Sequence, residues 1–145
     1  MIATAEPRGD CYVLHGTKQW FTTAGHADVF VVFASVDRKA RERGITAFVV
    51  ERGTPGFEIG RKETLLGIRS SDTHQIHFEG CAIPASQRLG DERQGFQIAR
   101  SATQHSRPLV ASMANGISRA ALEHCVRYAL DRKIGNAPLA GYHAT

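Results

Sequence analysis

The sequence lacks the long apolar run that a membrane-spanning helix needs. Its most apolar runs, over residues 29–34 and 47–50, are only as long as a strand, whereas a span needs about 20 residues. A disulfide framework is also missing, because the three cysteines are odd in number and far apart, which favours a reducing compartment. The start has no basic segment followed by an apolar one, so no secretory signal is expected. With 145 residues, 42% of them hydrophobic, the chain is long enough to bury a core without such staples.

Several signatures of particular chemistries are missing as well. The closest histidine pair, His74 and His77, has a spacing that puts the two rings on opposite faces of a strand, so no metal ligands are predicted. No nucleophile elbow, phosphate-binding loop or dinucleotide-binding glycine motif occurs. The net charge of +4 is scattered, which argues against nucleic acid and is as compatible with a small anionic ligand. Glu63, Asp72 and Glu79 could pair in many ways, and each is more often a solvated surface group.

The first half of the chain has the pattern of β-strands. Residues 12–23 are rich in aromatic and β-branched side chains, and a His-Gly pair in the middle suggests a hairpin. Residues 29–34 are expected to be buried on both faces, and residues 45–50 form a second buried strand. Residues 74–79 alternate polar and apolar, as in a half-buried antiparallel strand. We therefore expect an α+β protein in which residues 10–90 form an antiparallel β-barrel or two-sheet domain of about six to eight strands.

The pattern becomes helical near residue 94. Apolar residues recur at helical spacing from residue 110 to residue 128, and many are small, which suits packing against other helices. Ser106 has the character of an N-cap and Pro108 is tolerated in a first turn, so a long helix is expected over about residues 107–132, after a shorter one at 95–101. The sequence offers no second helix of that length. We therefore expect an incomplete helical bundle whose apolar stripe is covered in a dimer or higher oligomer.

Five sequence motifs follow one another along nearly the whole chain. They are YVLHGTKQWFTTAG at residues 12–25, GITAFVVERGTPG at 44–56, LGIRSSDT and IHFE within 66–79, LG and GF within 89–96, and SRP with YALDRK at 106–108 and 128–133. In this order they resemble the motifs of the acyl-CoA dehydrogenases, and five ordered matches are far more specific than any one of them. The resemblance implies the middle β domain of that family over residues 1–91 and the first part of its C-terminal helical domain over 92–145.

Acyl-CoA dehydrogenases oxidise an acyl-CoA thioester to the 2,3-enoyl-CoA. A glutamate removes the C2 proton and FAD accepts hydride from C3. The resemblance implies that Trp20, Thr22 and Thr23 bind the cofactor, with Trp20 against the isoalloxazine ring and Thr22 near its N5. Arg132 matches an arginine that reaches the FAD pyrophosphate of a neighbouring subunit. The alternatives are that Trp20 is a core aromatic, Thr22 an ordinary strand residue and Arg132 a cation at a helix C-terminus.

The resemblance also implies that Ser71, Asp72 and Thr73 lie by the CoA moiety, with Ser71 as the expected direct contact. The alternative is an ordinary turn before the next strand. No residue is a candidate for the catalytic base, because Ser106 stands where some members of the family carry the glutamate. The chain alone is therefore expected to be inactive and not to retain FAD.

The implied setting is that of a fatty acid metabolism flavoprotein which binds acyl-CoA as a homo-oligomer. Its location would be the bacterial cytoplasm or the mitochondrial matrix. Two other hypotheses stay open: a non-catalytic binding or interaction module that has kept the fold, and part of an acyl-CoA oxidase or related flavin monooxygenase, which share this domain. Whether this chain is itself an enzyme is left open.

Overall fold

The computed structural model describes residues 3–142 and contains strands followed by one long helix. The strands are β1 (Thr4–Arg8), β2 (Cys11–Thr22), β3 (Val29–Ser35), β4 (Ile45–Glu51), β5 (Phe57–Lys62), β6 (Thr73–Pro84), β7 (Arg88–Leu89), β8 (Lys133–Ile134) and β9 (Ala137–Pro138), and the helix is α1 (Gly95–Asp131). Short 3₁₀ turns lie at Arg38–Gly44, Ala85–Gln87 and Leu139–Gly141. The chain divides into two compact units, Met1–Ser101 and Ala102–Thr145. None of the helices described is long and apolar enough to cross a membrane.

Seven strands form one sheet in the order β5-β6-β2-β1-β3-β4-β7. Neighbouring strands are antiparallel except β1 and β3, which share one parallel bridge between Thr4 and Ser35. Phe57 of β5 and Phe30 of β3 lie four positions apart in this order, about 19 Å in a flat sheet. Their ring centroids are nevertheless only 4.8 Å apart. The sheet therefore folds at the β1–β3 bridge, and its two halves pack face to face around the core.

This arrangement confirms the predicted α+β class and fits the two-sheet alternative. A closed barrel is not formed, because the end strands β5 and β7 do not pair with each other within residues 3–142. The core between the halves is aromatic: Tyr12 of β2 contacts Phe48 of β4 with ring centroids 4.9 Å apart, and Phe57 stacks on Phe78 of β6 at 5.3 Å. Aromatic pairs bury large areas, and the Tyr12–Phe48 pair, which joins the two halves, fixes their spacing, whereas Phe57 and Phe78 are neighbours within one half.

The hairpin predicted within residues 12–23 is wrong. β2 runs without a turn from Cys11 to Thr22, because β6 is equally long and pairs with it from end to end. Gly16 has φ of 120°, and the register shifts between Leu14 and Gly16. The glycine therefore forms an irregularity within one strand, as in a β-bulge, instead of a turn between two strands.

The prediction that residues 29–34 are buried on both faces is also wrong. Phe30 and Val32 are 1% and 0% exposed, but Val29 and Val31 are 57% and 43% exposed. β3 thus buries only one face. The alternation predicted for β6 is confirmed, since Ile76 and Phe78 are buried and their neighbours in sequence are not.

The break predicted near residue 106 does not occur, because α1 is one helix from Gly95 to Asp131. Ser106 lies inside it, and its hydroxyl donates to the carbonyl of Thr103 at 3.2 Å. Pro108 removes one helical donor, as a proline inside a helix must, yet the helix continues through it. The N-cap prediction for Ser106 is therefore wrong.

Candidate functional site

The end of β2 carries an exposed aromatic side chain on a strained backbone. Trp20 and Thr23 have φ of 61° and 62°, the left-handed region that is unfavourable for residues other than glycine. Strain of this kind clusters at functional sites. The β2–β6 register shifts between Lys18 and Phe21, and Phe21 packs toward the core against Phe30 with ring centroids 5.6 Å apart. Trp20 instead is 62% exposed, so the alternative that it is the core aromatic fails.

The structure brings the two predicted binding segments side by side. Thr22 of β2 pairs with Thr73 of β6, and the amide of Thr23 donates to the carbonyl of Asp72 at 2.5 Å. Thr22 and Thr23 are exposed, whereas Thr73 is 5% exposed. Ser71, which is half-buried, donates from its amide to the carbonyl of Ile68 at 2.9 Å. Residues 20–23 and 71–73 therefore form one edge of the β unit, which we call the β2–β6 edge.

The carboxylate of Asp72 is held inside the protein at this edge. Its Oδ2 accepts from the amide of Gly25 at 2.8 Å, while its Oδ1 lies 3.1 Å from Nζ of Lys62 and 3.0 Å from Nε2 of His74. The residue is only 9% exposed, so the interpretation of Asp72 as a solvated surface group is wrong. The hydrogen bond from Lys62 lowers the pKa of Asp72 to about 2, with further lowering by His74 and the Gly25 amide.

His74 links Asp72 to a neighbouring strand. Its Nδ1 lies 3.0 Å from the carbonyl of Gly60 in β5, and a carbonyl can only accept, so Nδ1 is the donor. The Gly60 carbonyl is the main cause that raises the pKa of His74, and Asp72 acts in the same direction. The protonated ring then donates from both nitrogens, one to a carbonyl and one to a carboxylate.

Sequence reasoning missed the partners of Asp72. Lys62, His74 and Gly25 were not predicted to belong to any site. A signal was present, because the alternation of β6, continued one residue back from its start at Thr73, places Asp72 and His74 on the same side as the buried Ile76. A carboxylate that continues an apolar face must find hydrogen-bond partners, since burying a charge alone is costly.

Arg132 belongs to the second unit, whereas the other predicted site residues belong to the first. It directly follows α1, where its amide donates to the carbonyl of Tyr128 at 2.8 Å and its carbonyl accepts from the amide of Leu139 at 2.7 Å. Both main-chain groups are engaged and the residue is exposed. Within the part of the chain that the structure describes, no cluster of three or more His, Cys, Asp or Glu side chains could hold a metal.

The chain is similar to known proteins over almost its full length. The family model "Acyl-CoA dehydrogenase, middle domain" matches residues 1–81, and "Acyl-CoA dehydrogenase, C-terminal domain" matches residues 93–145. The mitochondrial short-chain specific acyl-CoA dehydrogenase of Mus musculus is 46% identical over 136 residues, which are 94% of this chain and 33% of that protein. The short-chain specific enzyme of Megasphaera elsdenii is 41% identical over 143 residues, or 99% of this chain and 37% of that protein.

The fold matches solved structures equally well. The structure of butyryl-CoA dehydrogenase from Megasphaera elsdenii has a TM-score of 0.87 at 40% identity, covering 97% of this chain and 37% of that one. This chain thus spans about a third of the length of the curated relatives it matches. Two consecutive family models, close relatives and a matching fold lead to one conclusion: the chain belongs to the acyl-CoA dehydrogenase family.

Proposed function

We propose that this chain carries the flavin-facing and CoA-facing edge of an FAD-dependent acyl-CoA dehydrogenase. The observation that carries the proposal is the β2–β6 edge, where the segment expected to contact the flavin pairs with the segment expected to contact CoA. A hydride transfer from substrate to flavin requires both molecules to meet at one surface.

The exposed residues of the edge fit a flavin. The 62% exposed ring of Trp20 offers a flat apolar surface for the isoalloxazine, and the exposed hydroxyl of Thr22 can donate to its N5 edge. Thr23 supports this contact through its main chain, which is fixed on Asp72. Bound FAD would supply the acceptor for the hydride that leaves C3 of the acyl group. Trp20 would exclude water from that face of the ring.

The remaining residues divide between substrate and a second cofactor contact. Ser71 provides the hydroxyl for the CoA moiety, and Asp72 and Thr73 complete that part of the edge. The exposed guanidinium of Arg132 suits a pyrophosphate, which we assign to the FAD of a neighbouring subunit in a homo-oligomer. The curated relatives include mitochondrial and bacterial proteins, so the proposed locations are the mitochondrial matrix or the bacterial cytoplasm.

Ser106, which stands where some members of the family carry the catalytic glutamate, offers no base for the C2 proton. Ser106 donates its hydroxyl to the Thr103 carbonyl, and an unassisted serine does not accept a proton at neutral pH. Proton abstraction therefore needs a glutamate that this position does not supply. We accordingly propose that the isolated chain binds FAD weakly, loses it on gel filtration and does not oxidise acyl-CoA.

The test uses Trp20 as the only tryptophan of the chain. FAD should quench its emission in a saturable way and more strongly than it quenches free N-acetyltryptophanamide, which controls for absorption of light by the flavin. ADP-ribose, which carries the adenosine diphosphate portion without an electron-accepting ring, should quench Trp20 no more than it quenches the free amide. Quenching no greater than that of the free amide would contradict the flavin contact. Stoichiometric yellow flavin after gel filtration, or acyl-CoA-dependent dye reduction, would contradict the proposed inactivity.

A further inference from the structure

Asp72 is bonded to residues 20–25 through two different groups. Its main-chain carbonyl accepts from the amide of Thr23, and its carboxylate accepts from the amide of Gly25. We propose that Asp72 is a positioning residue, which holds residues 20–25 in the conformation that keeps Trp20 and Thr22 at the surface. The ligand that Trp20 and Thr22 contact at the surface rests on the proposed function. The role of Asp72 in fixing residues 20–25 does not.

The geometry of the segment explains why it needs such a support. Trp20 and Thr23 both have positive φ, which side chains other than glycine rarely adopt. A backbone in that region persists only when its surroundings hold it there. Thr23 is held twice, since its amide donates to Asp72 and its carbonyl accepts from the amides of His26 and Ala27 at 3.0 and 2.9 Å.

A second residue also supports the segment. The guanidinium of Arg52 donates to the carbonyl of Ala24 at 2.7 Å and to that of Ala27 at 2.8 Å. Ala24 itself is fully buried. Arg52 binds carbonyl groups and Asp72 binds amide groups, so the two residues engage complementary main-chain groups of residues 23–27. Asp72 is the one that also belongs to the CoA-facing segment, and it therefore couples the two segments.

The surroundings of Asp72 favour this role over direct contact with a ligand. Both carboxylate oxygens are already engaged, and little of the residue is exposed. Lys62 and His74 bind Oδ1 and leave Oδ2 to the Gly25 amide, which makes that bond charge-assisted. Gly25 permits the close approach, because a Cβ at this position would collide with Oδ2 of Asp72.

Amide hydrogen exchange without any flavin tests the proposal. In Asp72→Ala, exchange at Gly25 should rise at least about tenfold, because its acceptor is gone. Exchange at Thr23 should rise less, since the main-chain carbonyl remains. Amides of β3 should change by less than about twofold. Asp72→Asn keeps an acceptor oxygen and should restore most of the Gly25 protection. Glu6→Gln, which removes an exposed carboxylate of a surface ion pair in the same unit, should change none of these amides.

The local motion of Trp20 is a second readout. If Asp72 only stabilised the fold as a whole, its replacement would not change the motion of Trp20 alone. The fluorescence anisotropy of Trp20 should fall in Asp72→Ala and recover in Asp72→Asn, while the unfolding transition stays cooperative. Unchanged exchange at Gly25 would overturn the proposal, and so would equal acceleration at Gly25 and throughout β3. FAD titration separates the two ideas: if the Asp72 variants loosen the segment but FAD quenches neither them nor the wild type, the flavin contact fails and the positioning role stands.

Discussion

The two faces of β3 predict different costs for the same substitution. Val32 is fully buried and Val31 is 43% exposed, and they are neighbours on one strand. Val32→Ala removes two buried carbons, worth about 0.8 kcal/mol each, and leaves a cavity that the fold closes only in part. We expect a loss of about 2–3 kcal/mol of unfolding free energy. Val31→Ala removes carbons that are nearly half in water and leaves no cavity, so we expect about 0.5–1 kcal/mol.

Urea unfolding followed by Trp20 emission measures this difference, since Trp20 lies in the β unit. The loss of β-propensity from valine to alanine is shared by both variants and cancels in the comparison. The slope of free energy against urea should stay constant, so that midpoints report stability. If Val31→Ala costs as much as Val32→Ala, both faces of β3 are buried and the alternation described above is wrong.

Two further perturbations concern close contacts and charge. Gly44→Ala should lower the melting temperature, at a cost of about 1–3 kcal/mol, because the new Cβ would collide with the main chain of Asp37. Gly116→Ala is the control, since it has open space on α1 and should raise helix stability by about 0.5–1 kcal/mol. Equal effects of the two variants on the melting temperature would contradict the close packing at Gly44. The Asp72 carboxyl, with a pKa of about 2, should stabilise the fold above about pH 4 and lose that contribution as pH falls toward 2. His74, with a raised pKa, should lose its contribution as pH rises above about 6.5. Asp72→Asn should therefore remove the dependence of the urea midpoint on pH below about 4 and only weaken the dependence above about 6.5, because the Gly60 carbonyl still holds His74. An unchanged profile below about pH 4 would contradict the network.

The motifs identified the segments that we propose to be functional but could not give their contacts. The sequence places Trp20 and Ser71 in two separate motifs, and only the end-to-end pairing of β2 with β6 makes those motifs neighbours. Gly16 shows the reason for the missed pairing, because a glycine in a strand-rich stretch is compatible with a turn or a bulge. The length of the partner strand decides between them, and that length is not a local property of residues 12–23.

Burial was predictable where residue types alternate and not where they are uniform. β6 mixes polar and apolar residues, so its buried face could be predicted from period two, and extending that period to Asp72 would have revealed the buried carboxylate. β3 is apolar throughout, so the same rule gives no answer for Val29 and Val31. The helix start predicted near Pro108 was wrong, because a proline lowers helix stability by a limited amount that the flanking helical turns can offset.

The exposed surface of α1 predicts self-association. Besides the stripe predicted over residues 110–128, Leu122, Val126 and Leu130 form a second line at four-residue steps, each 50–64% exposed. A helix that is apolar on two faces is typical of the interior of a bundle. Burying this line against a second copy would contribute about 1–2 kcal/mol per side chain.

Sedimentation velocity over a concentration series checks that association. Val126→Lys should weaken it by about tenfold or more, because a lysine in the contact removes apolar burial and adds a charge that must be desolvated. Ala120→Lys is the matched control, since it adds the same charge at an exposed position about 120° around the same helix from Val126. A monomer at the highest concentrations would contradict the prediction. Equal weakening by both variants would show that net charge, and not the second apolar line, controls the association.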